Sequence, residues 1–208
     1  MIDLPTFTDL ESLATAVQTC ERCGLHAGRV QAVPGEGSSQ ASVVFVGEGP
    51  GFHEDQQGRP FVGRAGQLLD ELISGIGMRR KDVFIANVVK CRPPNNRDPE
   101  RDEAAACRPY LNQQLMLLQP RLIVLLGRHA LNAFFPDARI SRARGLARCE
   151  NGRMFLPVYH PAAALRQMRL HDVLVKDFQM IPKLLVDDST VEREESSQPD
   201  TRQLSLFS

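Results

Sequence analysis

The chain reads as an α/β protein whose mainly parallel sheet of about four strands is covered by helices on both faces. Three observations predict this. Residues 42–47, 83–87, 122–126 and 154–159 are mostly apolar runs; in the first and third the apolar residues are consecutive, the mark of strands buried on both sides. Between these runs lie stretches with leucines and isoleucines at helical spacing. The resulting β-α-β-α-β-α-β-α order needs parallel crossovers, and 208 residues suffice for one domain with an ordinary core.

Taken in order, Thr8-Asp9-Leu10-Glu11 is a capping-box pattern that starts a helix with Leu10, Leu13 and Val17 on one face. That helix delivers Cys20-Glu21-Arg22-Cys23, and residues 34–39 form a turn. The strand 42–47 runs into Gly47-Glu48-Gly49-Pro50-Gly51, where three glycines let backbone approach a flat ligand closely. A second loop, Gly58-Arg59-Pro60-Phe61-Val62-Gly63, leads to a helix with Leu68, Leu69, Leu72, Ile73 and Ile76 at helical spacing, closed by Gly77. Pro93 and Pro94 stop the next strand, so Asn87 lies near its carboxyl end, where open parallel sheets bind ligands. Four residues on stands Cys91.

After the loop 92–99 comes a helical stretch holding Cys107, which Pro109 is expected to break or kink before Leu111, Leu115 and Leu118 continue it. The strand 122–126 ends at Gly127, followed by a short helix to Phe135 and an arginine-bearing loop from Pro136 to Gly145. The last strand meets His160-Pro161, with Pro161 suited to open a helix through Leu165. A closing helix spans roughly 170–185. Residues 187–203 are polar with too few apolar side chains to fold, which predicts a domain at 1–186 and a disordered acidic tail at 187–208.

A hydrophobic share of 42% and a charged share of 24% are those of a soluble globular protein. No apolar run nears the ~18 residues that span a bilayer, and Met1-Ile2-Asp3-Leu4-Pro5 lacks an export pattern, so a cytosolic protein without membrane contact is expected. Net charge is zero, but residues 187–208 carry six acids against Arg193 and Arg202. Residues 1–186 therefore hold 23 basic and 19 acidic side chains, a net of +4. Arg92, Arg97, Arg101, Arg142, Arg144, Arg166 and Arg169 fall around loops, either to bind phosphates or simply as solvated charge.

In a cytosolic chain the five cysteines point to metal rather than to disulfides. Cys20-x-x-Cys23 lets two thiolates reach one centre, and Cys91 and Cys107 complete a four-thiolate set if the fold gathers them. This spacing fits zinc and a 4Fe-4S cluster alike, and unrelated buried thiols are the plain structural alternative. Cys149 has no partner at ligand spacing and reads as a structural thiol.

The glycine loop 47–51, the loop 58–63, the stretch from Asn87 to Pro94 with Asn96-Arg97, and His160-Pro161-Ala162, together with the four cysteines, resemble the iron-sulfur, or family 4, uracil-DNA glycosylases of bacteria and archaea. The match covers most of residues 10–186. Singly, each motif has an ordinary reading as a core phenylalanine, a turn or a polar strand end. The resemblance implies a three-layer α/β/α sandwich, a 4Fe-4S cluster on Cys20, Cys23, Cys91 and Cys107, and hydrolysis of the bond between uracil and deoxyribose. It further implies a monomer in the bacterial cytoplasm, acting on the nucleoid.

An enzyme acting on a stacked base must rotate the nucleotide out, and Phe61 resembles the family's stacking platform. Asn87 matches its base reader, an amide able to serve both O4 and N3–H of uracil. Glu54 corresponds to the position that crowds the 5-methyl edge of thymine. Bond breaking leaves a uracil anion, and His160, before a helix starting at Pro161, is placed to stabilise it as a neutral donor. Glu48 either positions the attacking water or braces its loop; in both cases Glu48, Gly49 and Pro50 form part of the uracil cradle. Leu165 and Arg166 are candidates to fill the vacated stack, with Arg92 and Arg97 on the DNA backbone. Gln203-Leu204-Ser205-Leu206-Phe207 resembles the peptide by which bacterial DNA enzymes dock on the replication sliding clamp. Two other classes use the same features: an iron-sulfur electron carrier or redox sensor, and a non-catalytic DNA-binding module tethered to the clamp.

Overall fold

The structure, a computed structural model, describes residues 4–186. The tail with Gln203, Leu204, Leu206 and Phe207 lies outside the described residues.

The first helix, α1 (Leu10–Gln18), is capped by Asp9, whose carboxylate accepts from the Ser12 amide at 2.7 Å, so the cap falls one residue past the Thr8 of the sequence pattern. A two-residue strand β1 (Glu36–Gly37) lies inside the expected turn. Then come β2 (Val43–Gly47), α2 (Phe52–Gln57), α3 (Arg64–Gly75) and β3 (Phe84–Asn87). Gly77 ends α3 with φ 76°, its amide donating to Ser74 and that of Met78 to Ile73.

The long helix α4 (Arg101–Leu118) runs unbroken through Pro109, contrary to the expected break. Cys107, Tyr110, Leu111 and Leu115 are all buried around that proline, and their packing outweighs the single lost backbone bond. After β4 (Leu122–Leu126) follow α5 (Gly127–Phe134) and α6 (Ile140–Ala143), the latter a helical turn within the predicted 136–145 loop. Strands β5 (Arg148–Glu150) and β6 (Arg153–Val158) precede α7 (Pro161–Arg166). The closing helix is two, α8 (Arg169–Phe178) and α9 (Ile181–Val186). Pro182 explains the split: in a continuous helix its ring would strike the Phe178 carbonyl, whereas in the first turn of α9 it is tolerated.

The sheet order is β1-β3-β2-β4-β6-β5. The four expected strands form its parallel centre, and the short β1 and β5 add antiparallel edges. Alternate side chains feed two cores. Val44 and Val46 pack with Ile123, Leu125, Leu13, Leu111 and Leu115 under α1 and α4. Val43 and Phe45 pack with Val124, Leu69, Ile73, Leu174 and Phe178 under α3 and α8. This is a three-layer sandwich. Because β3 lies on one side of β2 and β4 on the other, the chain reverses direction across the sheet at β2, and the carboxyl ends there open a crevice. No helix among the described residues is long and apolar enough to cross a membrane.

Candidate active site and cysteine pocket

A cavity of about 240 Å³ opens at those carboxyl ends, lined by Glu48, Gly49, Pro50, Gly51, Glu54, Phe61, Ala65, Pro93, Asn96, Arg97, His160 and Ala162. That is below the roughly 300 Å³ at which drug-sized sites begin, and suits one flat base. A wider depression of about 700 Å³ lies over α6 and β5, lined by Arg139, Arg142 and Arg148, but it gathers none of the predicted site residues.

Phe61 and His160 face each other with ring centroids 5.6 Å apart and planes 28° from parallel. Asn87 is 1% exposed and stands behind the cavity lining at the end of β3. Gly47 makes this convergence possible: a Cβ there would sit 2.4 Å from Asn87 Oδ1 and 2.7 Å from the Phe61 ring. Gly127 does the same for His160, whose Cβ would lie 2.8 Å from an added one. Among the described residues Asn87 Oδ1 has no hydrogen-bond partner. A buried amide oxygen left unpaired costs about 1–3 kcal/mol, and that cost is relieved by a donor arriving from outside.

Phe61 adopts φ 52°, a left-handed backbone disfavoured for an aromatic residue. Its surroundings impose it. Arg80 donates to the carbonyl oxygens of Pro60 at 2.6 Å and Phe61 at 3.3 Å while paired with Asp70 at 2.7 Å. Gly66 lies so close that an added Cβ would fall 1.9 Å from the Phe61 oxygen. Glu54 accepts from the amides of Gly51 (3.1 Å), Val62 (2.9 Å) and Gly63 (3.0 Å), joining the two predicted loops. Its carboxylate is thus committed to backbone. Glu36 on β1 holds Arg59 at 2.7 Å, fastening the same loop from the sheet edge.

His160 Nδ1 accepts from the Ala162 amide at 3.1 Å, which leaves Nε2 carrying the proton of the neutral ring. Burial pulls its pKa down to about 4, with His129 and Arg166 adding to the effect and Glu54 opposing it. Among the described residues Glu48 shows no such bond to backbone; its carboxylate lies 3.6 Å from His129 Nε2. His129, at the start of α5, was not singled out by the sequence, since a lone histidine after a strand carries no local signal.

Among the DNA candidates, Leu165 is 43% exposed and Arg166 is exposed beside it at the end of α7. Met168, unmarked by the sequence, is 83% exposed just beyond. Arg92 stacks over Phe52 at 5.1 Å and donates to Asn96. Arg97 is held by Glu103 through two bonds of 2.7 and 2.8 Å, with Glu100 at 3.3 Å, which fixes the 92–99 loop and occupies its charge.

Cys20, Cys23, Cys91 and Cys107 line one pocket between α1, the end of the 87–91 segment and α4. Burial pushes the Cys107 thiol up to about 12 and raises Cys91 and Cys23 as well. Arg29 donates to Cys91 Sγ at 3.2 Å and to the Cys20 carbonyl at 2.6 Å. Lys90, fully buried, joins the two sites: its ammonium donates to the Asn87 carbonyl at 2.9 Å and to Gln114 at 2.6 Å. Burial lowers its pKa to about 8, with Cys107 opposing.

This sandwich, with a base-sized cavity at its reversal point, is that of a nucleobase-excising enzyme, and the model of the uracil DNA glycosylase superfamily matches residues 34–183. The chain belongs to that superfamily and, within it, to the type-4 uracil-DNA glycosylases. It is 46% identical over 187 residues to a type-4 uracil-DNA glycosylase of Sulfurisphaera tokodaii, covering 85% of both chains. Over 182 residues it is 48% identical to that of Pyrobaculum aerophilum, covering 83% of this chain and 92% of the relative. Identity to the Thermotoga maritima protein is 45% over 176 residues, covering 82% and 91%.

Proposed function

We propose that the cavity receives a uracil turned out of DNA and that the chain hydrolyses its bond to deoxyribose, leaving an abasic site for base excision repair. Family membership gives the reaction class. The observation that carries the residue roles is the buried, unpaired Asn87 Oδ1 beside the Phe61 ring. Uracil N3–H supplies the missing donor and O4 accepts from the amide's other end, while cytosine presents the reversed pair.

Phe61 stacks on the base from a backbone already fixed. As the glycosidic bond lengthens, charge grows on uracil O2, and the His160 Nε2–H donates to it. The depressed pKa keeps that ring neutral through the physiological range, so it acts as a hydrogen-bond donor rather than as an acid. Glu54 acts on the base edge through the loop it braces. With bracing assigned to Glu54, Glu48 is left to orient the water that attacks the sugar. Leu165 and Arg166 enter the gap left by the base, and Arg92 meets the backbone.

The four cysteines are read as ligands of a 4Fe-4S cluster. All four line one pocket between α1, the end of the 87–91 segment and α4, so a single centre can reach them. When bound, the cluster cross-links α1, the segment after Asn87 and α4. The tail peptide 203–207 is read as a tether to the sliding clamp of a cytoplasmic replication machinery, a reading that fails if deleting 203–208 leaves clamp binding unchanged.

The test is direct: purified protein is incubated with uracil-containing DNA, and free uracil and abasic sites are measured. Release by the wild type and a loss of about three orders of magnitude in Asn87→Ala, with cluster absorption intact, is expected. Full activity in Asn87→Ala overturns the assigned role.

A further inference from the structure

Glu48, Asp98 and His129 bring their ligand atoms within 4.8 Å of one another at the rim of the cavity. They come from three places: the glycine loop after β2, the 92–99 loop, and the first turn of α5. His129 Nε2, a buried ring nitrogen, lies 3.1 Å from Asp98 Oδ1 and 3.6 Å from Glu48 Oε2. Two carboxylates thus crowd one ring nitrogen. Such a trio also suits a divalent ion, but Arg128 already sits on the other oxygen of Asp98 at 2.8 Å, so a side chain supplies the compensating positive charge.

We infer that His129 is a positioning residue for the water-orienting carboxylate: it holds Glu48 at the cavity mouth and ties it to Asp98 on the DNA-facing loop. This rests on the glycosylase reading above. Three features support it. Glu48 has no backbone bond of the kind that fixes Glu54, so something else must set its direction. His129 reaches both that carboxylate and Asp98 on the neighbouring loop. Finally, burial pushes the Glu48 carboxyl above the ordinary range and His129 is the largest influence opposing the rise, with Asp98 adding to it and Arg128 reducing it. His129 also acts on Asp98, where the Arg128 hydrogen bond is the larger influence, and on His160 across the cavity, where Arg166 and Glu54 act as well.

The consequence is a pH-dependent one. Glu48 must be ionised to orient water, so base release has an acid limb set by this carboxyl. Removing His129 leaves burial and Asp98 less opposed, and the limb moves to higher pH by on the order of one unit, about tenfold in rate on its slope.

Single-turnover uracil release is measured between about pH 5 and 9 for the wild type, H129A, H129Q and E48Q, with cluster absorption and Tm recorded for each. The expected result is an acid limb raised in H129A and in the uncharged H129Q, a loss that shrinks as pH rises, and no such limb in E48Q. H129Q retains bulk and hydrogen-bonding capacity, so it reports even if H129A folds poorly. A limb in both His129 variants that coincides with the wild type, or an equal slowing at every pH, overturns the inference. Failure of the underlying reading looks different: the wild type then releases no uracil at any pH.

Discussion

The base cavity and the cysteine pocket sit at opposite ends of five residues, Asn87 to Cys91, and they are finished to different degrees. Around the cavity nearly every support is internal: Glu54 takes three amides, Arg80 takes two carbonyls, and glycines at 47, 66 and 127 admit the close approaches. The cysteine pocket is held more sparsely. Burial and neighbouring thiols push Cys23, Cys91 and Cys107 toward the protonated form, opposed by Arg29 donating to Cys91 and by the Leu25 and Lys90 amides donating to Cys23 and Cys107. One site is shaped by its own chain, while the other, on the cluster reading proposed above, would be closed by a metal that displaces protons and ties its walls together.

The sharpest way to break this contrast is Cys107→Ala. Iron-sulfur absorption should disappear together with about 3 kcal/mol of stability, a fall in Tm of about 10 °C. An iron-free variant that melts like the wild type would make the two sites equals. Next is Gly66→Ala, whose methyl must displace the Phe61 carbonyl. Calorimetry and a uracil-release assay should show about 2–3 kcal/mol lost and release down about a hundredfold, with iron content unchanged.

A third test uses pH. Burial holds His160 at about 4, against about 6.5 in an unfolded chain, so the unfolded state takes up the extra proton between those values. The stability this histidine contributes is complete above pH 6.5 and is lost as pH falls toward 4. Unfolding free energies from urea titrations at pH 7 and 4.5 should differ by about 2 kcal/mol more in the wild type than in His160→Gln. The smallest effect is expected from Arg29→Gln: iron affinity, read by competition with a chelator, falls about tenfold while uracil release per loaded molecule is unchanged.

The sequence made legible what local pattern encodes. Apolar runs marked the four central strands, Gly77 marked the end of α3, Pro93 and Pro94 put Asn87 near a strand end, and the family resemblance added Phe61 and His160 to the same site. Less visible were features that depend on partners far along the chain. Strands of two and three residues, β1 and β5, have no periodicity to read, and α2 has one buried side chain, Asp55, instead of an apolar stripe. That Arg80 reaches back 20 residues to the Pro60 carbonyl, or that Glu54 braces rather than stands free, follows only from the folded path. His129 belongs to the same group: its partners sit 81 positions upstream at Glu48 and 31 at Asp98, a distance no motif spans.

The left-handed backbone at Phe61 has one more implication. Its energetic cost falls during folding, long before any encounter with DNA, so the aromatic shelf does not have to be assembled when a nucleotide arrives. Every base that reaches the cavity then meets the same surface, and the differences between encounters lie in the base alone.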